Sequence, residues 1–570
     1  MKRILLLRPP VVEMRTSYAG VRITPPLTLA YLAAALREAG HQPLVLDALL
    51  EGHDRIGDGY AKNSVVRGLP VERILERIAE LGPIDALAIS TMFSQDWPET
   101  AKLIRELHRH HPVPVIVGGE HASAAAEYIL RTTPEVTLAA HGEGEETLVD
   151  FANWLAGRTK LEEITGVTRR GAAGDAIRNP SRPRIRSVDT IAEPAWDLFD
   201  MDGYFTHGHT FGVERGRTIP MLATRGCPYR CTFCSSPQMW TTKYVTRDPE
   251  LVLDEIERYI ATYGVRNIEF HDLTAITKRS WILKFTAGIE RRGLDFTWQL
   301  PSGTRSEALD EEVIAAISRT GCVNLAYAPE SGSERTLKAI KKKVDLDKLT
   351  NSVRIAVEHR MTVKCNLIIG FPHETHRDIW QTIRYAARLG LIGVEDTGIY
   401  LFSPYPGSEL YEELRADGTL PEMSDEYFAT LLQYTDITKG SVYCRNVGAR
   451  TLLLYRIVGM LGFYSLAYLR RPGRILRTAR NLRHREASSL LESRLGDRIK
   501  TLRRDQRTAK RETNSTGQAG SEKAAPREET AGTSTGVHIR RRVPRSTEER
   551  CLLGGKGHET TPASIPTQQS

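Results

Sequence analysis

"TRGCPYRCTFCSSP", residues 224–237, sets Cys227, Cys231 and Cys234 within eight positions, spaced CxxxCxxC. The whole chain of 570 residues has seven cysteines. Thiolates gathered in one short loop are the donor set of a zinc or iron–sulfur site, and three of them leave one coordination position without a protein thiolate. Zinc motifs more often use C-x2-C pairs and close with a fourth ligand. Cys322, Cys365, Cys444 and Cys551 are isolated, so a zinc knuckle would need a remote partner. Three unrelated thiols are the other plain reading.

The surroundings of the loop argue for a barrel. Apolar runs predict strands at 218–223, 267–271, 296–300, 323–328, 363–369 and 396–402. Between them, helical periodicity predicts helices at about 248–263, 278–292, 310–319, 346–360 and 374–389. Six such units make an open or partial β/α barrel, and the cysteines follow its first strand, at the rim where barrel active sites form.

This arrangement resembles the radical S-adenosylmethionine (SAM) superfamily. There three cysteines hold a 4Fe–4S cluster and SAM chelates the fourth iron. Phe233, just before the last cysteine, fits the same pattern. The resemblance implies reductive cleavage of SAM to a 5′-deoxyadenosyl radical that abstracts hydrogen from unactivated carbon. It extends through "IEFHDLTAI" (268–276), "YAPESGSE" (327–334), "IIGFPHET" (368–375) and "FSPYPGSELY" (402–411). By that resemblance Asp272, Glu330, Ser331 and Gly332 would contact SAM. Many relatives carry two consecutive acids where this chain has His271-Asp272. The plain alternative is that Asp272 or Glu330 caps a helix and that the Gly-Pro pairs make ordinary turns.

Ahead of the barrel, residues 1–160 also alternate. "RILLL" (3–7), "QPLVLDA", "DALAIST" (85–91), "VPVIVGG" (113–119) and "EVTLAA" read as five strands separated by helices, a parallel, doubly wound sheet. A Rossmann-like domain before such a barrel resembles the cobalamin-dependent branch of the superfamily. The matching segments are "TPPLTLAYLAAALREAG" (24–40), "AISTMF" (88–93), "VGGEH" (117–121) and "HGEGEETL" (141–148). The resemblance implies that Ser90, Thr91, Gly118, Gly119, Glu143 and Gly144 line the cobalamin, with His121 and His141 as further candidates. The D-x-H-x-x-G signature, whose histidine ligates cobalt in many cobalamin domains, is absent; the branch includes members that lack it. The competing readings are a degenerate domain that kept the fold and lost the cofactor, and a nicotinamide-binding sheet, against which G-x-G-x-x-G does not follow the first strand.

The expected organisation is therefore a Rossmann-like domain (1–160), a Pro-, Gly- and Arg-rich linker (161–215), the partial barrel (216–410), a helical region (411–485) and a basic, largely disordered tail (486–570). Residues 470–512 hold 15 Lys and Arg against 5 Asp and Glu, so the basicity behind the net charge of +8 belongs to this end. The 13-residue apolar run from Ile457 to Leu469, followed by arginines, has the build of an interfacial helix, or of a helix closing the barrel. No stretch is expected to reach the roughly 20 apolar residues of a membrane span. Sparse, unpaired cysteines predict a reducing cytoplasm. The arginines lack a nucleic-acid-binding module, and no nucleic acid is expected.

Together these readings predict a cobalamin-dependent radical SAM enzyme, with an external flavodoxin- or ferredoxin-type electron donor. It would methylate an unactivated carbon of a small molecule or lipid and would contact a membrane, if at all, peripherally on its inner face. The alternatives are a cyclase or rearrangement enzyme resembling the anaerobic Mg-protoporphyrin ester cyclase, and a non-enzymatic Fe–S or zinc module. An RNA-modifying methylthiotransferase would carry a second cysteine triad in its front domain, and residues 1–226 contain no cysteine.

Overall fold

Strands that are apolar on both faces need helices on both faces, and the N-terminal half provides them. The computed structural model describes residues 1–17, 21–275, 277–436, 438–484, 492 and 496. Its first strands are β1 (Arg3–Arg8), β2 (Val11–Met14), β3 (Gln42–Asp47), β4 (Ile56–Asp58), β5 (Ser64–Arg67), β6 (Ala86–Ser90), β7 (Val115–Gly118) and β8 (Leu138–Ala140). Strands β8, β7, β6, β1 and β3 pair in that order, all parallel. This is the doubly wound order whose ligand crevice lies outside the carboxyl ends of the strands, at the switch between β1 and β6. Leu5 and Leu7 face helices Val71–Leu81, Trp97–His110 and Glu120–Thr132, while Ile4 and Leu6 face helices Leu27–Glu38 and Glu145–Leu155.

Two features were not expected. Strands β2, β5 and β4 form a small antiparallel sheet of their own. Within the stretch read as a linker, β9 (Val167–Arg170) and β10 (Ala176–Arg178) extend the first sheet as an antiparallel edge. The Gly- and Pro-rich composition concealed a hairpin turning through Gly171–Gly174, whose outer strand is mostly exposed and so has no apolar face to announce it.

The second half builds β11 (Thr218–Met221), β12 (Thr224–Arg225), β13 (Val245–Thr246), β14 (Asn267–Phe270), β15 (Thr297–Thr304), β16 (Cys322–Glu330), β17 (Thr362–Ile369) and β18 (Asp396–Leu401). Strands β11, β14, β15, β16, β17 and β18 pair consecutively and in parallel, giving the six-stranded partial barrel. All six agree with the expected positions to within a few residues. The two-residue strands β12 and β13 pair with each other and pinch off the loop that carries the cysteines.

Beyond the barrel the chain is helical, as expected. Helix Ala449–Arg470 lies along helix His376–Ile392. Gly390 permits the close approach, since a Cβ there would meet the Phe463 carbonyl oxygen at 2.7 Å. At 22 residues this helix is long and apolar enough, by length and composition, to cross a membrane, which corrects the expectation drawn from the 13-residue run. The additional length comes from Leu452, Leu453 and Leu454, upstream of Arg456. Arg456 itself is fully buried and donates to the carbonyls of Tyr434 and Asp436. Apart from residues 492 and 496, the expected tail lies outside the described residues.

Candidate functional site

The cysteine loop leaves the barrel at Thr224–Arg225 and is fixed at its base. Gly226 has φ +85°, and a Cβ there would fall 2.1 Å from the Lys243 carbonyl oxygen, so only glycine lets the two ends of the loop pass. The Thr232 N–H donates to the Ile340 carbonyl, and the Thr232 carbonyl accepts from Leu410, which pins the loop to the barrel top. Cys227, Cys231 and Cys234 are free and half-buried. The Cys234 N–H donates to the Cys231 carbonyl at 3.1 Å, and Thr274 Oγ1 lies 3.0 Å from Cys227 Sγ as a donor. Burial pushes the Cys234 thiol up to about 11 and raises Cys231 as well. Among the described residues, no three His, Cys, Asp or Glu side chains form a shell for a single metal ion. The thiolates that hold an iron–sulfur cluster bind separate irons, so such a shell is not what three cluster ligands would form.

The acidic candidates divide. Asp272, at the carboxyl end of β14, is buried and spends its carboxylate on the root of the loop, accepting from the Ala223 N–H at 3.1 Å and from Thr224 Oγ1 at 2.8 Å. Burial raises its pKa to about 6 against those hydrogen bonds. Ser331 and Gly332 face helix His376–Ile392, where Ser331 Oγ and the Gly332 N–H both meet Thr382 Oγ1. Glu330 stays at the cleft. It ends β16 with φ +66°, a strained conformation for a residue with a Cβ, and accepts from Lys342 Nζ at 2.9 Å. Lys342 and Arg305 are near enough to Cys231 to act on its thiol. The Arg305 guanidinium stacks 3.7 Å from the ring centre of Tyr229, inside the cysteine loop, and its Nε is buried without a partner. Arg305, Lys342, Gly303, Thr304, Ser306 and Ala328 line a small cleft there. Phe233 packs on Phe371, 5.7 Å between ring centres, and so anchors the loop against the "GFPHE" turn. Glu374 holds that turn by accepting from the N–H groups of Gly370 and Phe371 at 2.6 and 3.1 Å.

On the other side, the carboxyl ends of β7 and β8 meet the same loop. Glu143, expected against a cofactor, accepts from Arg184 Nε at 2.8 Å, from the Ile185 N–H at 2.7 Å and from Arg225 at 3.3 Å. Arg225 also pairs with Glu145 at 2.5 Å and lies over the rings of Tyr31 and Trp240. Ser235 donates to Glu120, just after β7. Sequence reasoning missed Arg184 and Arg225. The signal available was Arg225 beside the motif, together with two glutamates in a segment already singled out.

Thr91 and Gly119 are crossed closely: a Cβ at Gly119 would lie 2.6 Å from the Thr91 carbonyl oxygen. Thr91 Oγ1 donates to the Gly118 carbonyl. Ser90 and Gly118 sit half-buried at the strand ends, next to the exposed side chains of Met92 and Phe93. Gly144 faces Leu32 in the domain interior. Neither histidine projects from these strand ends. His121 is buried between Trp97 and Phe428, with Nδ1 on Ser94 Oγ at 2.9 Å. His141 has both ring nitrogens engaged, by Thr168 Oγ1 and the Ser123 carbonyl. Burial lowers the two to about 3 and about 4, so both are neutral at pH 7. The donor chemistry therefore fits an iron–sulfur cluster on the loop. The glycine crossing beside exposed Met92 and Phe93 fits a large, partly apolar cofactor at the facing strand ends.

Comparison with known proteins agrees with this geometry. Residues 221–386 match the family model of the radical SAM superfamily, and residues 21–152 match that of the B12 binding domain. The chain is 29% identical over 430 residues to a protein of Pyrococcus horikoshii named as an uncharacterized methyltransferase, covering 75% of this chain and 86% of that one. It is 27% identical over 466 residues to the cytidylyl-2-hydroxyethylphosphonate methyltransferase of Streptomyces wedmorensis, covering 76% and 85%. It is 26% identical over 434 residues to the anaerobic magnesium-protoporphyrin IX monomethyl ester cyclase of Cereibacter sphaeroides, covering 73% and 65%. Among solved structures, the radical SAM methyltransferase TsrM of Kitasatospora setae, with cobalamin and a [4Fe-4S] cluster bound, superposes with a TM-score of 0.56 at 18% identity, covering 73% of this chain and 78% of that one.

Proposed function

The chain belongs to the radical SAM superfamily and carries its B12-binding front domain, and from that premise we propose that it methylates an unactivated carbon of a small-molecule or lipid substrate. In this reading Cys227, Cys231 and Cys234 hold the 4Fe–4S cluster. Glu330 and the cleft beside it receive SAM, and the strand ends at Ser90–Thr91 and Gly118–Gly119 receive cobalamin. When bound, the cluster and SAM supply radical chemistry and cobalamin supplies methyl transfer, so the protein's task is placement. Asp272 orients the root of the cysteine loop. Tyr229 and Phe233 are held by Arg305 and Phe371, and Gly226 sets the turn into the first cysteine. The Glu330–Lys342 pair keeps opposite charges beside Cys231 in a half-buried cleft, where a zwitterionic ligand can replace each partner's counter-ion.

The observation that carries the proposal is the meeting of the two halves. Arg225, two residues before Cys227, is locked to Glu143 and Glu145, and Ser235, one residue after Cys234, to Glu120. The cysteine loop is thereby clamped at both ends to the strand ends that would hold the second cofactor. Anaerobic reconstitution tests this: about four irons and four sulfides per chain and retained cobalamin are expected. A zinc-loaded protein without sulfide would refute it. An external low-potential donor of the flavodoxin or ferredoxin type is part of the same proposal.

The helical end supports peripheral membrane contact. Leu454, Ile457, Val458, Leu461 and Leu469 are exposed on the face of helix Ala449–Arg470 turned away from the barrel, with Ile475 and Leu476 beyond it. Arg450, Arg470, Arg471, Arg480 and Arg483 are exposed nearby, and residues 449–484 contain no Asp or Glu. An apolar row among arginines suits an anionic bilayer surface. Flotation with anionic liposomes is expected to lift the protein, and replacing Leu454, Leu461 and Leu469 by Ser should abolish this. Equal flotation of that variant would contradict the contact.

A further inference from the structure

Strand β14 goes on acting on the cysteine loop past the end of its sheet pairing. The His271 N–H donates to the Met221 carbonyl, which carries the contact with β11 one residue beyond Phe270. The chain then keeps a strand-like alternation: Asp272 is 1% exposed, Leu273 40% and Thr274 4%. Asp272 and Thr274 both turn to the cysteine loop. Asp272 accepts from Thr224 at the root of the loop, and a few residues further along both chains Thr274 reaches Cys227.

Thr274 Oγ1 lies 3.0 Å from Cys227 Sγ. A buried hydroxyl needs a partner, and among the described residues this sulfur is the partner it has. Neither side of the contact owes its place to it. Cys227 follows the Gly226 turn and the Arg225 ion pairs with Glu143 and Glu145. Thr274 follows Asp272, which is held by the Ala223 N–H and by Thr224. The hydroxyl is therefore presented to the sulfur by bonds other than its own. The contact is also separate from the Glu330–Lys342 pair, which stands beside Cys231.

A cysteine that holds iron is a thiolate and has no proton to give, so the hydroxyl must be the donor. A hydrogen bond to a charged acceptor is among the strong ones. Donation to a cluster sulfur stabilises the reduced, more negative cluster more than the oxidised one, and such bonds are among the factors that set cluster potentials.

Resting on the functional reading above, we propose that Thr274 is a positioning residue for electron entry: acting through Cys227 Sγ, its hydroxyl raises the reduction potential of the cluster. The step it serves is transfer of one electron from the external flavodoxin- or ferredoxin-type donor to the cluster. No bond to Thr274 breaks, and its proton stays on Oγ1.

A redox titration of the reconstituted full chain, followed by electron paramagnetic resonance without SAM or substrate, reads the midpoint potential independently of turnover. Thr274→Val removes the donor and keeps the branched shape. At fixed poise its ratio of reduced to oxidised cluster should fall at least threefold, a downward shift of about 30 mV for a one-electron couple. Thr274→Ser should stay with wild type, and iron content should be unchanged in both variants. A cluster-loaded Thr274→Val protein with the wild-type midpoint, or a Thr274→Ser protein shifted as far as Thr274→Val, would overturn the proposal. So would a Thr274→Val protein that takes up less iron, which assigns Thr274 to building the loop. Failure of the functional reading is seen separately, as wild-type protein that takes up no iron–sulfur cluster, and this proposal falls with it.

Discussion

Replacing Arg225 by Met is the sharpest perturbation of the clamp. The side chain is 5% exposed and neutralises two carboxylates that are equally sequestered, Glu143 at 3.3 Å and Glu145 at 2.5 Å. Burial lowers the arginine's pKa, but the charges of Glu145 and Glu143 more than reverse this, so the guanidinium stays charged. Removing one partner from a buried ion pair costs about 3–5 kcal/mol, because the remaining charge loses its compensation. Glu143 retains Arg184 at 2.8 Å, so the larger loss falls on Glu145, and the lower half of that range, about 3 kcal/mol, is expected. That is roughly a hundredfold in the unfolding equilibrium. Urea denaturation of the Arg225→Met variant should show it, and the Arg225→Met/Glu145→Gln pair should recover about half. Iron retention after reconstitution should fall in parallel, since Cys227 lies two residues away. A single variant within about 1 kcal/mol of wild type, with full iron, would refute the clamp.

Other consequences follow from the same geometry. Gly226→Ala forces a Cβ to 2.1 Å from a carbonyl oxygen at φ +85°, and reconstituted iron should drop severalfold while the secondary structure seen by circular dichroism persists. Glu330→Gln leaves Lys342 without its counter-ion and should weaken SAM binding at least tenfold by equilibrium dialysis, with iron unaltered. His121 and His141 have folded pKa values of about 3 and about 4, below the unfolded value near 6.5. The unfolded chain therefore binds more protons between these values. Stability is fully present above pH 6.5 and falls as pH drops toward 4, by on the order of a few kcal/mol. Replacing both histidines by Gln should flatten that part of the urea-stability profile.

The sequence made the two sheets legible because their strands are continuous apolar runs and their helices keep a 3.6-residue period. All six barrel strands and the five parallel front strands fell where these patterns put them. The hairpin of β9 and β10 was hidden because an exposed edge strand shows no apolar alternation. Helix Ala449–Arg470 was underestimated because Arg456 interrupts its run, although that arginine is buried on backbone carbonyls. Within the site, the clustered cysteines and the segment carrying Glu330 stood out in the sequence, and the structure places Glu330 beside Cys231. Asp272 and Glu143 stood out as acids near strand ends, but only folding shows that their oxygens accept from Thr224, Arg184 and Arg225.

The most direct test of the central claim is mass-spectrometric quantification of SAM products from anaerobically reconstituted protein supplied with reductant and cobalamin. Formation of both 5′-deoxyadenosine and S-adenosylhomocysteine, and loss of 5′-deoxyadenosine on replacing Cys227, Cys231 or Cys234 by Ala, is the expected result. Iron-loaded protein that yields neither product, or cysteine variants that still form 5′-deoxyadenosine, would contradict it.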